Sequence, residues 1–303
     1  MRLILRSDFD GLVSAALLRK VVQIDDYLFA HPKDVQDGKI PVTSNDILSN
    51  LPYVEGCGLW FDHHSSEVER VAPETAYEGD CRVAPSAARV IHDYYQSPAF
   101  EQYEELLKAC DKSDSAQLTL DEVLQPEGWI LLSYMSDART GLGRYHDYKI
   151  SNYQLMMKLI DLIDSQSIEQ ILEDPDVKER ITLYTEHEPR FKDLLLEKST
   201  LQDNVVVTDV RGIEELPIGN RFVIHALFPE TNIAVRVIDG KGKENVVITL
   251  GHSIFKKDCK TDVGALMLQY GGGGHRPAGT CQVAIDDADR IIKEIVDKLV
   301  DNG

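Results

Sequence analysis

Long apolar segments and paired cysteines are both absent from this sequence. No apolar run approaches the ~20 residues that a membrane-spanning helix needs, and the residues that follow Met1 become acidic too early for a secretory signal peptide. The five cysteines are scattered, with no Cys-x-x-Cys pair. These absences predict a cytoplasmic protein with free thiols, and they argue against a structural zinc site.

Basic residues are also scarce. The chain has 32 Lys and Arg against 51 Asp and Glu, which gives a net charge of −19. A surface this acidic is poorly suited to holding long nucleic acid or polyphosphate. The absence of a Gly-Lys-Ser/Thr phosphate-binding loop argues against a nucleoside triphosphatase. We therefore expect a short phosphate-bearing substrate in a locally cationic pocket, with no long duplex and no membrane as a partner.

The first half of the chain alternates strand-like and helical segments. Arg2 to Leu5 has the pattern of a strand, an acidic turn follows, and Leu12 to Val22 has helical spacing. Further strand candidates are 27–30, 46–50 and the apolar run around Trp60, and helices dominate from about Ala84 to Ile163. This alternation predicts an α/β domain over residues 1–150, with a mainly parallel, doubly wound sheet.

Short strands replace this pattern after residue 200. Candidates at 204–210, 221–228, 232–238 and 244–250 have hairpin-scale spacing, which predicts an antiparallel or mixed sheet. A helix at 262–270, a strand at 279–285 and a helix at 287–299 complete a smaller domain over 200–303. Residues 151–199 form either a helical connector or a helix pair on the first domain. We expect the substrate in a cleft between the two domains.

Acidic residues and histidines follow two of the predicted strands. Asp8-x-Asp10-Gly11 comes after the first strand, and Asp62-His63-His64 ends the apolar run around Trp60. Because parallel strands present their carboxyl ends at one edge of a sheet, both motifs are expected at that edge, together with Asp111 from a helical run. Neighbouring strand residues point to opposite faces, so His63 and His64 are expected to have different roles.

These residue types indicate a metal-assisted reaction. Carboxylates suit Mn²⁺ or Mg²⁺, and a metal that keeps open positions can polarise a phosphate and activate water for attack on it. Near the carboxyl end, Gly271 to Gly274 precede His275 and Arg276. Consecutive glycines let backbone N–H groups approach an anion closely, and His275 and Arg276 add further donors. Together these features favour hydrolysis of a phosphate ester.

The motifs, in this order over nearly the whole chain, resemble the DHH phosphoesterase superfamily, and more narrowly its subgroup with a DHH-associated carboxyl-terminal domain. The resemblance implies a metal-dependent phosphoesterase acting on a mono- or diester of a short nucleotide. Such substrates are an oligoribonucleotide, a dinucleotide or 3′-phosphoadenosine 5′-phosphate. Two alternatives stay open, an exopolyphosphatase and a nucleotide-binding protein with an eroded metal site. A homodimer also stays open.

The resemblance further implies roles for particular residues in this chain. Asp62 would orient His63, and His64 would contact the phosphate. Arg236 would be either a second cationic contact in the second domain or a solvated strand residue. The metal ligands would be Asp8, Asp10, His63 and Asp111, and Asp114 is the alternative to Asp111. The substrate-binding residues of the second domain would be Gly273, Gly274, His275 and Arg276.

Two positions depart from the family pattern. Arg6 stands where a histidine is usual, and Asn50 stands where an aspartate usually bridges two metals. An asparagine offers one neutral oxygen and cannot bridge two cations as a carboxylate does. We therefore expect one firmly bound Mn²⁺ or Mg²⁺, with two as the alternative. Arg6 either stands where a cation is missing or binds the substrate phosphate.

Overall fold

The computed structural model describes all residues from 1 to 303, and the chain divides into two compact units. Unit 1 comprises Met1–Leu118 and Pro126–Thr182, and unit 2 comprises Thr119–Gln125 and Leu183–Gly303. Each unit contains one β-sheet with helices packed against it, which confirms the predicted α/β class. No helix has both the length and the apolar character needed to cross a bilayer.

Five parallel strands form the sheet of unit 1, in the order β2-β1-β3-β4-β5. Their bounds are β1 Arg2–Arg6, β2 Asp26–Ala30, β3 Asp46–Ser49, β4 Leu59–Asp62 and β5 Gly79–Cys81. Since β2 and β3 lie on opposite sides of β1, the strand order reverses there. Ligands of open parallel sheets bind beyond the carboxyl ends of the strands at such a switch point. Asp8, Asn50 and His63 follow the carboxyl ends of β1, β3 and β4.

Helices make up most of the remaining chain up to residue 198. Their bounds are α1 Phe9–Leu18, α2 Pro32–Gln36, α3 Ser65–Arg70, α4 Ala87–Tyr95, α5 Glu104–Asp114, α6 Leu120–Leu124, α7 Gly128–Ser136, α8 Asn152–Ser165, α9 Ile168–Glu173 and α10 Pro175–Lys198. Every residue of α1 is buried, and this helix contacts α4, α5, α7 and α8. The small side chains Ser14, Ala15 and Ala16 allow these close approaches. As a result, α1 holds Asp8 and Asp10 in a fixed position at its amino end.

The sheet of unit 2 has six strands in the order β10-β11-β9-β8-β7-β6. Their bounds are β6 Ser199–Gln202, β7 Val205–Asp209, β8 Ile233–Asp239, β9 Val246–His252, β10 Gly273–His275 and β11 Ala278–Val283. Only the β7–β8 pair is parallel, so the mixed sheet predicted from the sequence is confirmed. Apolar side chains of this sheet form one core with α12 Val263–Leu268 and α13 Ile285–Asn302.

One row of polar residues crosses all six strands of this sheet. Directly paired residues of neighbouring strands point to the same face, and along β8 and β9 these positions alternate with buried Val, Ile and Leu. The row therefore lies on the face opposite the apolar core. Its members, in strand order from β6 to β10, are Ser199, Thr208, Arg236, Thr249, Thr280 and Gly273.

The predicted strand at 221–228 is wrong. The structure has the short helix α11 Val223–Leu227 there, which buries Val223, Ile224 and His225. This segment is apolar except for Arg221 and His225, and it has no regular alternation that would separate a buried strand from a helix. The backbone carbonyl of Asn220 accepts a hydrogen bond from the N–H of Val223, which starts the helical turn. Three short strands, β5, β6 and β10, had no predicted counterpart.

Part of the glycine run Gly271 to Gly274 forms a β-strand. Residues 273–275 form β10 and pair with β11. A Cβ atom at Gly272 would lie 2.1 Å from the Thr280 carbonyl oxygen, and one at Gly274 would lie 2.3 Å from that of Ala278. Gly273 differs, since a Cβ there would meet no atom within 4 Å. Glycine is thus required by close backbone packing at Gly272 and Gly274, and Gly273 has open space beside it.

Alanine substitution is therefore expected to change the free energy of unfolding by different amounts at Gly272 and Gly273. Gly272→Ala should lower the free energy of unfolding by about 2 kcal/mol or more, because the backbone of β11 must move to admit a methyl group. Gly273→Ala serves as the matched control and should change it by less than about 0.5 kcal/mol. Urea denaturation followed by circular dichroism measures both values. An equal loss of unfolding free energy in the two variants would contradict the close packing at Gly272.

Candidate metal centre

Asp10 is the most constrained carboxylate of unit 1. The residue is 2% exposed, and its two carboxylate oxygens accept hydrogen bonds of 2.8 Å from the backbone N–H groups of Ala87 and Ala88. These two groups lie in the first turn of α4, where backbone N–H groups have no helical partner and the helix dipole favours an anion. A further contact of 3.6 Å comes from Cys110 Sγ. Asp10 therefore joins α1 to α4 and α5 at the edge of the sheet.

His63 points its ring into the same region. Its Nδ1 lies 3.1 Å from the carbonyl oxygen of Ala84, which accepts the Nδ1 proton. The opposite ring atom, Nε2, then faces Asp114 Oδ2 at 3.1 Å and Asp10 Oδ2 at 3.7 Å. Nε2 is buried and makes no hydrogen bond of acceptable geometry. A backbone carbonyl on Nδ1 with Nε2 directed at carboxylates is the usual arrangement of a metal-binding histidine.

The third member of this cluster is Asp114, the reserve residue of the sequence analysis. Donor atoms of Asp10, His63 and Asp114 all lie within 4.8 Å of one another. Asp111, the expected ligand, is engaged elsewhere, because its Oδ1 accepts from Ser86 Oγ at 2.7 Å and its Oδ2 accepts from the Arg89 guanidinium. The structure therefore brings Asp114 into the cluster in place of Asp111.

The electrostatics of this cluster favour a cation. Burial, and then the charge of Asp114, raises the pKa of Asp10 to about 7. Burial lowers the pKa of His63, but the Asp114 and Asp10 carboxylates outweigh this and raise it to about 10. Burial raises the pKa of Asp114, and the adjacent His63 brings it below its ordinary value overall. Without a metal, the two carboxylates hold a proton on His63, and a divalent cation would replace that proton.

The donor set fits Mn²⁺ or Mg²⁺. Two carboxylates and one imidazole suit a borderline or hard divalent cation, and the buried His63 Nε2 faces both carboxylates. A cavity of about 30 Å³ is lined by Asp10 and Asp114 of this cluster and also by Asp8, Ser113 and Arg139. This volume is enough for an ion or a water molecule and too small for a nucleotide. A nucleotide would therefore present only its phosphate here.

Asp62 contacts a different histidine from the one expected. Its Oδ1 accepts from the His63 backbone N–H and lies 2.8 Å from His64 Nδ1. The His63 ring is oriented by the Ala84 carbonyl instead. The strand β4 ends at Asp62, and the His64 ring lies back against the Asp62 carboxylate. The donor atoms of Asp62, His63 and His64 also lie close together. In that group, Asp62 Oδ1 and His64 Nδ1 are already hydrogen-bonded to each other. His64 Nε2 remains available for a ligand.

Asp8 already has cationic and neutral donors around it. Its Oδ2 lies 2.9 Å from Arg6 Nε, and Asn50 Nδ2 lies 3.2 and 3.3 Å from its two oxygens. Gly11 N–H donates to its Oδ1 at 3.0 Å, so Asp8 also caps α1. Burial raises the pKa of Asp8, and the Arg6 charge opposes this. Arg6 and Asn50, the two departures from the family pattern, thus contact the one carboxylate that is left for a second cation.

Sequence reasoning missed Arg139, which lines the cavity with Asp8, Asp10 and Asp114. Arg139 belongs to a 3₁₀ turn, Ala138–Thr140, that follows α7. Nothing in the local sequence distinguishes this arginine from other exposed ones. Only the packing of α7 against α1 and α5 brings the turn to the edge of the first sheet.

The predicted residues of the second domain lie on or beside the six-stranded sheet of unit 2. Gly273, Gly274 and His275 belong to β10, and Arg276 follows in the turn to β11. Arg236 belongs to β8, in the polar row that includes Gly273. His275 is exposed and pairs with Ala278. The structure thus places four of these residues in one sheet and Arg276 in the adjoining turn, with Arg236 and Gly273 in the same row.

Removing Asp114 and removing Asp111 should have different effects. Asp114→Asn is expected to weaken Mn²⁺ binding by about 100-fold, because a charged ligand is lost from a buried cluster. Asp111→Asn should leave Mn²⁺ affinity near the wild-type value and lower thermal stability, because Asp111 ties α5 to Arg89 of α4. Calorimetric titration with Mn²⁺ and thermal melting measure the two effects. Weaker Mn²⁺ binding in Asp111→Asn alone would restore Asp111 as the ligand.

Comparison with known proteins identifies the family. No family model and no curated protein sequence matches the chain. Among solved structures, the pGpG-specific phosphodiesterase PggH from Vibrio cholerae is 47% identical, with 100% of this chain and 99% of that chain covered and a TM-score of 0.86. The DHH domain of a protein described as a member of a ribosomal protein family is 14% identical, with 99% of this chain and 86% of that chain covered and a TM-score of 0.57. RecJ from Thermus thermophilus, solved in complex with Mn²⁺, is 14% identical, with 99% and 51% covered and a TM-score of 0.54.

The similarities to the DHH-domain protein and to RecJ show the fold alone, whereas PggH is related to this chain over the full length of both chains. The residues that define the resemblance occupy the expected places, with Asp8 and Asp10 after β1 and Asp62-His63-His64 at the end of β4. The five-stranded parallel sheet and the six-stranded mixed sheet match the two domains that the resemblance implies. The chain belongs to the DHH phosphoesterase superfamily and has its DHH-associated carboxyl-terminal domain.

Proposed function

We propose that this chain is a divalent-metal-dependent phosphodiesterase whose substrate is the linear dinucleotide pGpG. The observation that carries the proposal is 47% identity, over the full length of both chains, to a pGpG-specific phosphodiesterase. The cluster of Asp10, His63 and Asp114 supports it, since these donors suit the metal that such a hydrolase needs. Hydrolysis of the phosphodiester bond of pGpG would give two molecules of GMP.

Asp10, His63 and Asp114 would hold the metal, and Asp8 lies beside them with its carboxylate bound by Arg6 and Asn50. The metal, when bound, polarises the phosphate and makes water a stronger nucleophile near neutral pH. The chain's own contribution is a rigid donor set, because the helix terminus of α4 fixes Asp10 and the Ala84 carbonyl fixes His63. A preorganised site of this kind does not reorganise as charge develops in the transition state.

His64, which follows the end of β4, would contact the phosphate through its ring. Asp62 accepts a hydrogen bond from Nδ1–H, and when the ring carries a second proton, Nε2–H would donate to a phosphate oxygen or deliver its proton to the leaving oxygen. Asp62 is 1% exposed, so its negative charge acts on His64 with little screening by solvent. In this proposal Asp62 and His64 keep the catalytic roles expected from the sequence, although Asp62 orients His64 and not the His63 ring.

The second domain would bind the nucleotide. Gly273 has open space beside its backbone, and the exposed His275 and Arg276 adjoin it. Arg236 extends the same polar row on β8. Backbone N–H groups of the glycines, together with these donors, suit the phosphate or base edge of a short nucleotide. The overall charge of −19 favours such a short ligand over polyphosphate.

The proposed activity is tested with purified protein and a panel of phosphate compounds. With Mn²⁺, pGpG should be converted to GMP, and chelation with EDTA should stop the reaction. Asp10→Asn should slow it by about 100-fold or more, because the anchored carboxylate is lost from the site. Asp161→Asn is the matched control, since the Asp161 side chain is 79% exposed on α8, and it should leave the rate unchanged.

The other members of the panel separate the competing activities. Turnover of polyphosphate in preference to pGpG would indicate an exopolyphosphatase, and preference for 3′-phosphoadenosine 5′-phosphate would indicate a monoesterase. Binding of pGpG without release of GMP at any Mn²⁺ concentration would contradict hydrolysis and favour a nucleotide-binding protein.

The number of metals forms a second part of the proposal. We infer one firmly bound Mn²⁺ or Mg²⁺ per chain, because Arg6 and Asn50 already satisfy the Asp8 carboxylate. The Arg6 guanidinium would supply one positive charge where a second cation would supply two. Asn50 has left-handed backbone torsion (φ 55°) and is 1% exposed, so its amide is fixed beside Asp8.

Metal counting tests this inference directly. Wild-type protein equilibrated with Mn²⁺ and then desalted should retain one equivalent by mass spectrometry of the metal. The double variant Arg6→His and Asn50→Asp restores the usual family residues and should retain two. Two tightly held equivalents in the wild-type protein would overturn the inference, whatever the double variant shows.

A further inference from the structure

Arg139 is a cavity-lining cation that the proposed metal chemistry does not use. Its guanidinium Nε donates to Asp137 Oδ1 at 2.7 Å, and its backbone N–H donates to the same oxygen at 2.8 Å. Neither Nη1 nor Nη2 donates a hydrogen bond within the chain, and the side chain is 49% exposed. The end of the guanidinium is thus free to bind a ligand, while Asp137 holds its stem in place.

Other arginines of unit 1 have a structural role that Arg139 lacks. Arg89 donates through Nε and Nη2 to Asp111 and so joins α4 to α5. Arg180 is fully buried and binds backbone carbonyls of Asp176 and Ile150. Arg139, in contrast, pairs only with a residue two positions away in the same turn. A contact this local does not hold separate elements together, so packing does not account for the arginine.

The charge of the site gives Arg139 a function. The cavity is lined by the carboxylates of Asp8, Asp10, Asp114 and Asp137, so a phosphodiester that approaches it meets four negative charges. One divalent cation and Arg6, which is paired with Asp8, supply three positive charges. Arg139, paired with Asp137, supplies the fourth, and without it the site would repel the anion. The planar guanidinium offers two parallel N–H donors that match two phosphate oxygens.

We propose that Arg139 binds the scissile phosphate of the substrate at the mouth of the cavity, with Asp137 as the residue that positions it. This inference deepens the proposed function and rests on the same site. Nη1 and Nη2 contact two non-bridging oxygens of the phosphate, and Asp137 Oδ1 keeps Nε turned away from it. Arg6 stays with Asp8, so Arg139 is the residue that compensates the charge developing on the phosphate.

The test compares Arg139→Gln, Arg139→Lys and the control Arg290→Gln. Arg290 is an exposed arginine of α13 that pairs with Asp287 and Glu294. Mn²⁺ affinity is measured by calorimetry without nucleotide. In Arg139→Gln it should stay the same or increase by about 2- to 5-fold, because a positive charge near the metal ligands is removed. Arg290→Gln should match the wild-type protein.

Phosphate binding is measured on the Mn²⁺-loaded protein with inorganic phosphate as the probe. Arg139→Gln should weaken it by about 10- to 100-fold, since a charged bidentate hydrogen bond is lost. Arg139→Lys should recover part of the loss, because it keeps the charge without the two-pronged geometry. With pGpG, kcat/KM should fall in the same order. Thermal melting establishes that each variant is folded, and Arg139→Lys decides the question if Arg139→Gln does not fold.

Two results would overturn the inference. One is unchanged phosphate affinity in both Arg139 variants. The other is a parallel loss of Mn²⁺ and phosphate binding in the folded variants, which would mean that Arg139 supports the metal ligands and not the phosphate. Failure of the proposed function gives a different pattern. In that case the wild-type protein does not hydrolyse pGpG, yet inorganic phosphate still binds more weakly when Arg139 is replaced.

Discussion

The pair of hydrogen bonds from the first turn of α4 to the Asp10 carboxylate is the contact on which the site depends. A carboxylate that is 2% exposed needs donors, and Ala87 and Ala88 supply them from a helix end where N–H groups are otherwise unpaired. This contact sets α1 against α4 at the edge of the sheet. His63 and Asp114 then meet Asp10 because β4 and α5 end at the same edge.

Charge balance explains the departures around Asp8. Three carboxylates so close together are stable only with cations or protons among them, and His63 carries such a proton in the absence of a metal. Arg6 and Asn50 satisfy Asp8 with groups that belong to the chain itself. The proposed site would therefore combine one exchangeable cation with the permanent charge of Arg6. Arg139, paired with Asp137, lines the same cavity and would meet the incoming phosphate.

Sequence reasoning succeeded where a motif and a strand end coincide. The strands predicted at 2–5, at 46–50 and around Trp60 are present as β1, β3 and β4, and the polar residues at their carboxyl ends converge as parallel strands require. It failed at 221–228, where a short apolar run without alternation folds as α11. It also predicted Asp111 as the metal ligand and kept Asp114 only as the alternative, because the two lie three residues apart on α5 and only the position of Arg89 on α4 shows which carboxylate is taken.

The sequence by itself determined the family, the two α/β domains and the placement of Asp10 and His63 at one edge of the first sheet, because these follow from local patterns and from motifs in order. Tertiary structure alone decided that Asp114 completes the cluster, that Asp62 orients His64, and that Arg139 lines the cavity. The physical reason is that each of these depends on which side chain reaches a given atom. That choice is made by helix packing and competing hydrogen bonds between residues far apart in the chain, and no local pattern records it.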